Sequence, residues 1–333
     1  MISPLVITLI LAIVLALVLA PVEALRWWAT QGIKEAGTTA ATLTGIRRRL
    51  EIRRQAQPLA DRYRSYIVYL AGVGAVADQA NPIGEQPLLD ELQAAMPDVL
   101  LISDVYPYSP ANRTLLAGRW SSGWWRFVEW LGRKRPTRIA QLLVYGRNAL
   151  QFAVSADDRY GPVYSLGVAR VIWDRLVAAG YRPESGTPIV LLGWSGGAQI
   201  ALSAAWYLSG AGMPVYLLSL GGVLTSDPGL DRIRHLWHLK GTKDWMQAIG
   251  NLFPGRWPGR RASYWARAIT DARATIHTIG PMSHLGRGSY LSSSRLADGR
   301  TCRQVVGEEI QAILRAEGLA APAEPNPGAG PAG

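Results

Sequence analysis

Cysteine is almost absent from this 333-residue chain: Cys302 stands alone, so an intrachain disulfide framework is excluded. Histidine is nearly as scarce. The four present, His235, His238, His277 and His284, have neither an H-E-x-x-H pattern nor any zinc-ligand spacing. There is no P-loop, and Gly72-x-Gly74 lacks the third glycine of a dinucleotide-binding turn. No metal or cofactor is therefore expected. Phenylalanine is limited to three residues, but Trp and Tyr contribute thirteen each. With 49% hydrophobic and 18% charged residues, the chain suits a packed globular body rather than a disordered one. No repeat recurs at a fixed period. The formal net charge of +11 comes without any nucleic-acid-binding module, so nucleic acid is not an expected partner. Anionic lipid is a better match for that charge.

Charge is also missing from Met1 to Val22. The run Leu5–Ala20 is almost wholly Leu, Ile, Val and Ala. Twenty-two helical residues reach about 33 Å, enough for a hydrocarbon core of about 30 Å. Arg26, Trp27 and Trp28 follow at once and suit the lipid–water boundary. A cleaved signal peptide is the alternative, with Val22-Glu23-Ala24 as its cleavage site, but the basic leader of such peptides is missing. Residues 1–24 therefore read as a single transmembrane anchor. Positive charge after the helix places the bulk of the chain in the cytoplasm. Residues 25–64 read as a basic, helical juxtamembrane segment, in which Arg47–Arg49, Arg53 and Arg54 face either headgroups or solvent.

From residue 65 short apolar runs alternate with helical stretches. Tyr66–Ala71, Asp98–Asp104, Pro188–Gly193, Pro214–Leu220, Leu236–Gly241 and Thr275–Gly280 read as strands. Glu85–Met96, Gly161–Gly180, Ala198–Leu208 and Val305–Leu319 read as helices. Strands separated by helices need crossover connections, which predicts an α/β fold: a mostly parallel sheet with helices on both faces. Ligands of such sheets bind at the carboxyl ends of the strands. Residues 65–319 form this expected domain. A Trp-rich insertion at about 110–160, with Trp120, Trp124, Trp125, Phe127 and Trp130 beside Arg133–Arg135, reads either as a packed helical cover or as a lid touching an apolar substrate or membrane. The tail, residues 320–333, is rich in Pro, Gly and Ala and is expected to be disordered.

One motif carries chemistry. Gly193-Trp194-Ser195-Gly196-Gly197 fits G-x-S-x-G and lies between a predicted buried strand and a predicted helix. Chemistry on a serine hydroxyl requires it to stand clear of the sheet on a sharp, strained bend. Crowding at such a bend leaves room only for glycine at 193 and 197, and the helix N-terminus favours developing negative charge. On this motif and its strand–helix context, residues 65–319 resemble the α/β-hydrolase superfamily.

That resemblance implies a nucleophile, acid and base in chain order. Ser195 is then the nucleophile. Asp244, three residues after Gly241 and just past the second strand beyond the elbow, matches the usual acid position; Asp227, after the intervening strand, is the rival. Asp244 also reads simply as a helix N-cap. His284, in the loop after the last predicted strand, matches the base, whereas His277 lies inside that strand. The resemblance further implies an oxyanion hole from the backbone N–H of Gly196 and of Val73, although this chain has Ala71-Gly72 where relatives often have His-Gly. The implied activity is cleavage of an ester, thioester or lipid acyl bond without a cofactor. An acyltransferase with the same three residues, or a binding protein that kept the fold, are the alternatives.

Overall fold

The computed structural model describes residues 62–73, 84–105, 152–153, 156 and 161–322. The expected anchor, nearly all of the juxtamembrane segment and most of the Trp-rich insertion lie outside the described residues. Among the described residues, no helix is long and apolar enough to cross a membrane.

Six strands form one sheet: β1 Ser65–Leu70, β2 Val99–Val105, β3 Ile189–Trp194, β4 Val215–Leu220, β5 Leu236–Lys240 and β6 Ala274–Thr278. Their order is β2-β1-β3-β4-β5-β6, and every neighbouring pair is parallel. The helices are α1 Gln86–Ala95, α2 Gly161–Ala178, α3 Gly196–Gly210, α4 Tyr264–Thr270 and α5 Cys302–Ala316. The sequence reading assigned no helix at α4.

Both faces of the sheet are covered, which is why its central strands read as continuous apolar runs. Tyr66, Val68, Leu70, Leu191 and Leu217 pack on one face with Ile172 of α2, Ile200 and Ala204 of α3 and Ala268 of α4. Ile67, Tyr69, Val190, Leu192 and Leu239 pack on the other with Leu88 and Leu92 of α1 and Val306 and Ile310 of α5. Helix α3 is enclosed on nearly every side, and its alanines let it lie close to β3 and β4.

Several boundaries differ from the expectation, among them the end of α5 at Ala316 rather than Leu319 and the start of α3 at Gly196 rather than Ala198. Residues 62–64 are bends rather than helix, because the Arg64 backbone N–H and guanidinium both bind Asp98 and lead the chain into β1. Helix α5 begins at Cys302, three residues early, because Thr301 and Gln304 form a reciprocal capping box. The tail does not leave the domain at 320. Ala320 is buried, the Leu319 carbonyl accepts from the buried Ser65 hydroxyl, and the Ala321 N–H donates to Asp98.

Candidate active site

The turn after β3 is sharp. Ser195 sits at φ 52°, ψ −124°, a conformation that costs a non-glycine residue about 1–3 kcal/mol and survives only where its surroundings over-determine it. They do so here. The Ser195 N–H donates to the Leu220 carbonyl at 3.0 Å, and the Ser195 carbonyl accepts from the N–H groups of Ala198 and Val223, each at 3.2 Å. The flanking glycines are required by close packing. A side chain at 193 would overlap the Ala198 backbone, and one at 197 would strike the carbonyls of Leu70 and Ala71. The crowding thus comes from α3 and β1, not from the serine itself.

His284 lies in the loop after β6, and both of its ring nitrogens are engaged. Nε2 is 2.7 Å from Ser195 Oγ, and Nδ1 is 2.9 Å from Asp244 Oδ2. All three side chains are buried. The indole of Trp194 stacks on the imidazole with centroids 4.8 Å apart. The Thr242 and Lys243 N–H groups donate to the carbonyls of Gly280 and Met282, tying the loop that carries Asp244 to the loop that carries His284.

Asp244 receives more than the imidazole. The Tyr290 hydroxyl donates to Oδ2 at 2.8 Å, and the Met246 N–H donates to Oδ1 at 2.9 Å. Burial pushes the carboxyl up, but the His284 contact and these two hydrogen bonds outweigh it, so Asp244 is held below the ordinary aspartate range. Tyr290 in turn accepts from the Gly241 N–H at 2.7 Å, and burial together with the neighbouring carboxylate raises its pKa. Gly221, at φ 51°, leaves the space that Tyr290, Trp194 and Asp244 fill; a methyl there would contact all three. Tyr290 and Gly221 were not recognisable from sequence, because neither belongs to a local motif.

The rival residues have other partners. Asp227 is buried, accepts from Gln199 Nε2 at 3.0 Å and the Gly229 N–H at 2.7 Å, and takes a short hydrogen bond from Ser203. It caps the 3-10 turn Pro228–Asp231. His277 is bound to Glu309 at 2.8 Å, on the flank of α5. His235 meets Thr275, and the buried His238 lies between Ser219 and Gln247. Burial first, and then the charge of Arg256, lowers His238 to about 4, so it is neutral near pH 7.

A cavity of about 390 Å³ opens at Ser195. Val73 and Gly196, the two expected oxyanion donors, line it beside the serine. Phe152, Val223, Met246 and Ile249 are among its walls, and the Ser195 hydroxyl is the one polar side-chain group on them among the described residues. Gly72 runs close to Ser195; a Cβ there would lie 3.3 Å from the serine Cβ. The described residues hold no cluster of His, Cys, Asp or Glu that could bind a metal ion.

An all-parallel sheet with a strained serine at the β3–α3 corner is the arrangement of the α/β-hydrolase type. A scan against protein-family models gives no match, and a search of curated proteins gives none either. Among solved structures, the chain is similar to a dienelactone hydrolase-like promiscuous phosphotriesterase from metagenomic libraries, with 11% identity, a TM-score of 0.40, and coverage of 77% of this chain and 86% of the other. A likeness that distant bears no weight beside this chain's own elbow and strand topology.

Proposed function

We propose that this chain is a membrane-anchored serine hydrolase that cleaves an ester, thioester or lipid acyl bond through Ser195, His284 and Asp244. The supporting observation is the unbroken hydrogen-bonded line from Ser195 Oγ through both nitrogens of His284 to Asp244, beginning on a strained corner. Strain of that kind needs a reason, and lifting a hydroxyl toward a base is one.

In this reading Ser195 Oγ attacks the carbonyl carbon while its proton passes to His284 Nε2. Asp244 holds the ring in the tautomer that keeps Nε2 free to accept, and stabilises the imidazolium that results. The backbone N–H groups of Gly196 and Val73 receive the oxyanion; one such donor is typically worth about 2.7–4 kcal/mol. The C–O or C–S bond to the leaving group then breaks, and His284 delivers the proton to it. Water repeats the sequence on the acyl-serine and restores the hydroxyl. No cofactor takes part. The uncharged run before Glu23 supports an anchor in residues 1–24, with the hydrolase domain on the cytoplasmic side.

A fluorophosphonate probe tests the proposal on the full chain in detergent. The expected result is covalent labelling that disappears in Ser195→Ala and persists in Cys302→Ala. Folded protein that takes up no label would instead favour a binding protein built on this fold. Resistance of the chain to alkaline carbonate extraction from membranes checks the anchor, and release into the supernatant would refute it.

A further inference from the structure

The loops that carry Asp244 and His284 also present apolar side chains to water. The Thr242 and Lys243 N–H groups donate to the Gly280 and Met282 carbonyls at 2.9 and 3.2 Å, so the connections after β5 and β6 lie side by side at the carboxyl edge of the sheet. Trp245, next to the buried Asp244, is 72% exposed, and Leu285, next to the buried His284, is 68% exposed. Neither side chain has a part in the proposed chemistry. Each is accompanied by an exposed cation, Lys243 before Trp245 and Arg287 after Leu285.

Negative charge is missing around them. Residues 245–270 contain four arginines and no Asp or Glu, and residues 279–297 contain two arginines and no Asp or Glu. The next acid, Asp298, is bound to Arg300. Lys243, Arg260, Arg261 and Arg287 are exposed and form no ion pair among the described residues. Gly255 and the Trp265 N–H both pack on Ser226, in the loop after β4, which holds the stretch with Arg260 and Arg261 at this same edge. The amino edge of the sheet is built differently: Arg64 pairs there with Asp98, and Arg273 with Asp231 and Asp271. Unpaired cations gathered on one edge create a field that attracts a surface of opposite sign.

We propose that this edge of the domain docks on a bilayer carrying anionic headgroups, with Trp245 and Leu285 entering the lipid–water boundary and Lys243, Arg260, Arg261 and Arg287 meeting the headgroups. A tryptophan suits that boundary because its ring is apolar while its N–H remains polar. Each cation held near such a surface favours docking by about fivefold. The anchor read in residues 1–24 keeps a bilayer within reach, so the inference rests on that part of the reading above and adds the face that the domain turns to the lipid. In this orientation an ester held in the bilayer lies next to the loops that carry the acid and the base.

Fluorescence from the full chain in vesicles tests this. An environment-sensitive dye is attached at Leu285→Cys in a Cys302→Ala background. The control is the same dye at Val177→Cys, an exposed position at the end of α2 that leads into the amino edge of β3. In vesicles of equal parts phosphatidylcholine and phosphatidylglycerol, emission at 285 should shift to the blue while emission at 177 does not. Pure phosphatidylcholine should produce a smaller shift, and added salt should reverse it. Replacing Lys243, Arg260, Arg261 and Arg287 with glutamine should lower the docked-to-free ratio about fivefold for each cation removed. Phenylglyoxal modification of the unaltered chain, read by mass spectrometry, gives a second measure. Arg260, Arg261 and Arg287 should be protected by the anionic vesicles, whereas Arg234, exposed at the amino edge, should react as it does in uncharged detergent. No shift at 285 with no protection of the three arginines would overturn the proposal, and so would an equal response at both edges. A shift that follows protein concentration rather than phosphatidylglycerol would give this face to a second copy of the chain and overturn it as well. Carbonate extraction and fluorophosphonate labelling of the same preparations keep the readings apart: a chain that is anchored and labelled but undocked loses only this inference.

Discussion

Two aspartates sit at the carboxyl edge of this sheet, one after β4 and one after β5, and they differ in what they hold. Asp227 and Asp244 are both buried, and each accepts at least three hydrogen bonds from described residues. Asp227 ties elements of the fold together: its partners among the described residues include an amide and a hydroxyl from α3 and a backbone N–H from the turn after β4. Asp244 shares one oxygen between Tyr290 and His284, and the imidazole reaches on to Ser195. Burial and hydrogen bonding are thus common to a structural carboxylate and to the proposed catalytic one. The distinction lies in whether a partner can change its protonation during a reaction.

The comparison breaks first, and most heavily, at Asp244→Asn. The amide cannot hold His284 in the required tautomer, and kcat should fall about ten-thousandfold with the melting temperature little changed. If Asp227→Asn produced that loss instead, the two roles would have to be exchanged. The next largest effect falls on stability. Asp227→Ala leaves one N–H of the Gln199 amide and the Gly229 N–H without their acceptor in the interior and should destabilise by about 2–3 kcal/mol in urea unfolding, while the folded protein keeps kcat within severalfold of the parent.

Tyr290→Phe sharpens the contrast at a smaller scale. It removes one donor from Asp244 and leaves the Gly241 N–H without its acceptor, so kcat should drop about tenfold, with KM nearly constant. A change confined to KM would mean that Tyr290 meets substrate rather than the acid. A further effect, visible only along a pH axis, is a stability slope from His238, which Gln247 links to the Asp244 loop. Its folded pKa of about 4 lies below the 6.5 of an unstructured histidine. Between those values the unfolded chain binds a proton that the folded chain refuses, so stability is lost as pH falls from 6.5 to 4. The slope is about 1.4 kcal/mol per pH unit for one such group. Chemical denaturation of His238→Gln across that window should be flatter by that amount; an unchanged slope would show that His238 titrates normally.

Much of the fold was legible because burial on both faces leaves continuous apolar runs, and all six strands lie within about two residues of their expected positions. The short helix α4 escaped, since seven residues hold too few turns to declare a period. The corner at Ser195 was legible for a local reason. The glycines that permit it lie two residues to either side, so a five-residue window contains the whole steric requirement. The links to Asp244 and His284 are of another kind. They span 49 and 89 residues of chain and exist only because parallel crossovers return three loops to one edge of the sheet. Chain order named the candidates, but distance had to bring them together.

The sequence by itself determined the alternation of elements, the bend that strains Ser195 and the uncharged run at the N-terminus, each the consequence of short-range sterics or of composition. Only the tertiary structure decided which aspartate faces an imidazole, that Tyr290 shares the acid's oxygen, and that Gly221 leaves room for both. Those facts depend on atoms brought together from separate strands, and no window of residues along the chain contains them.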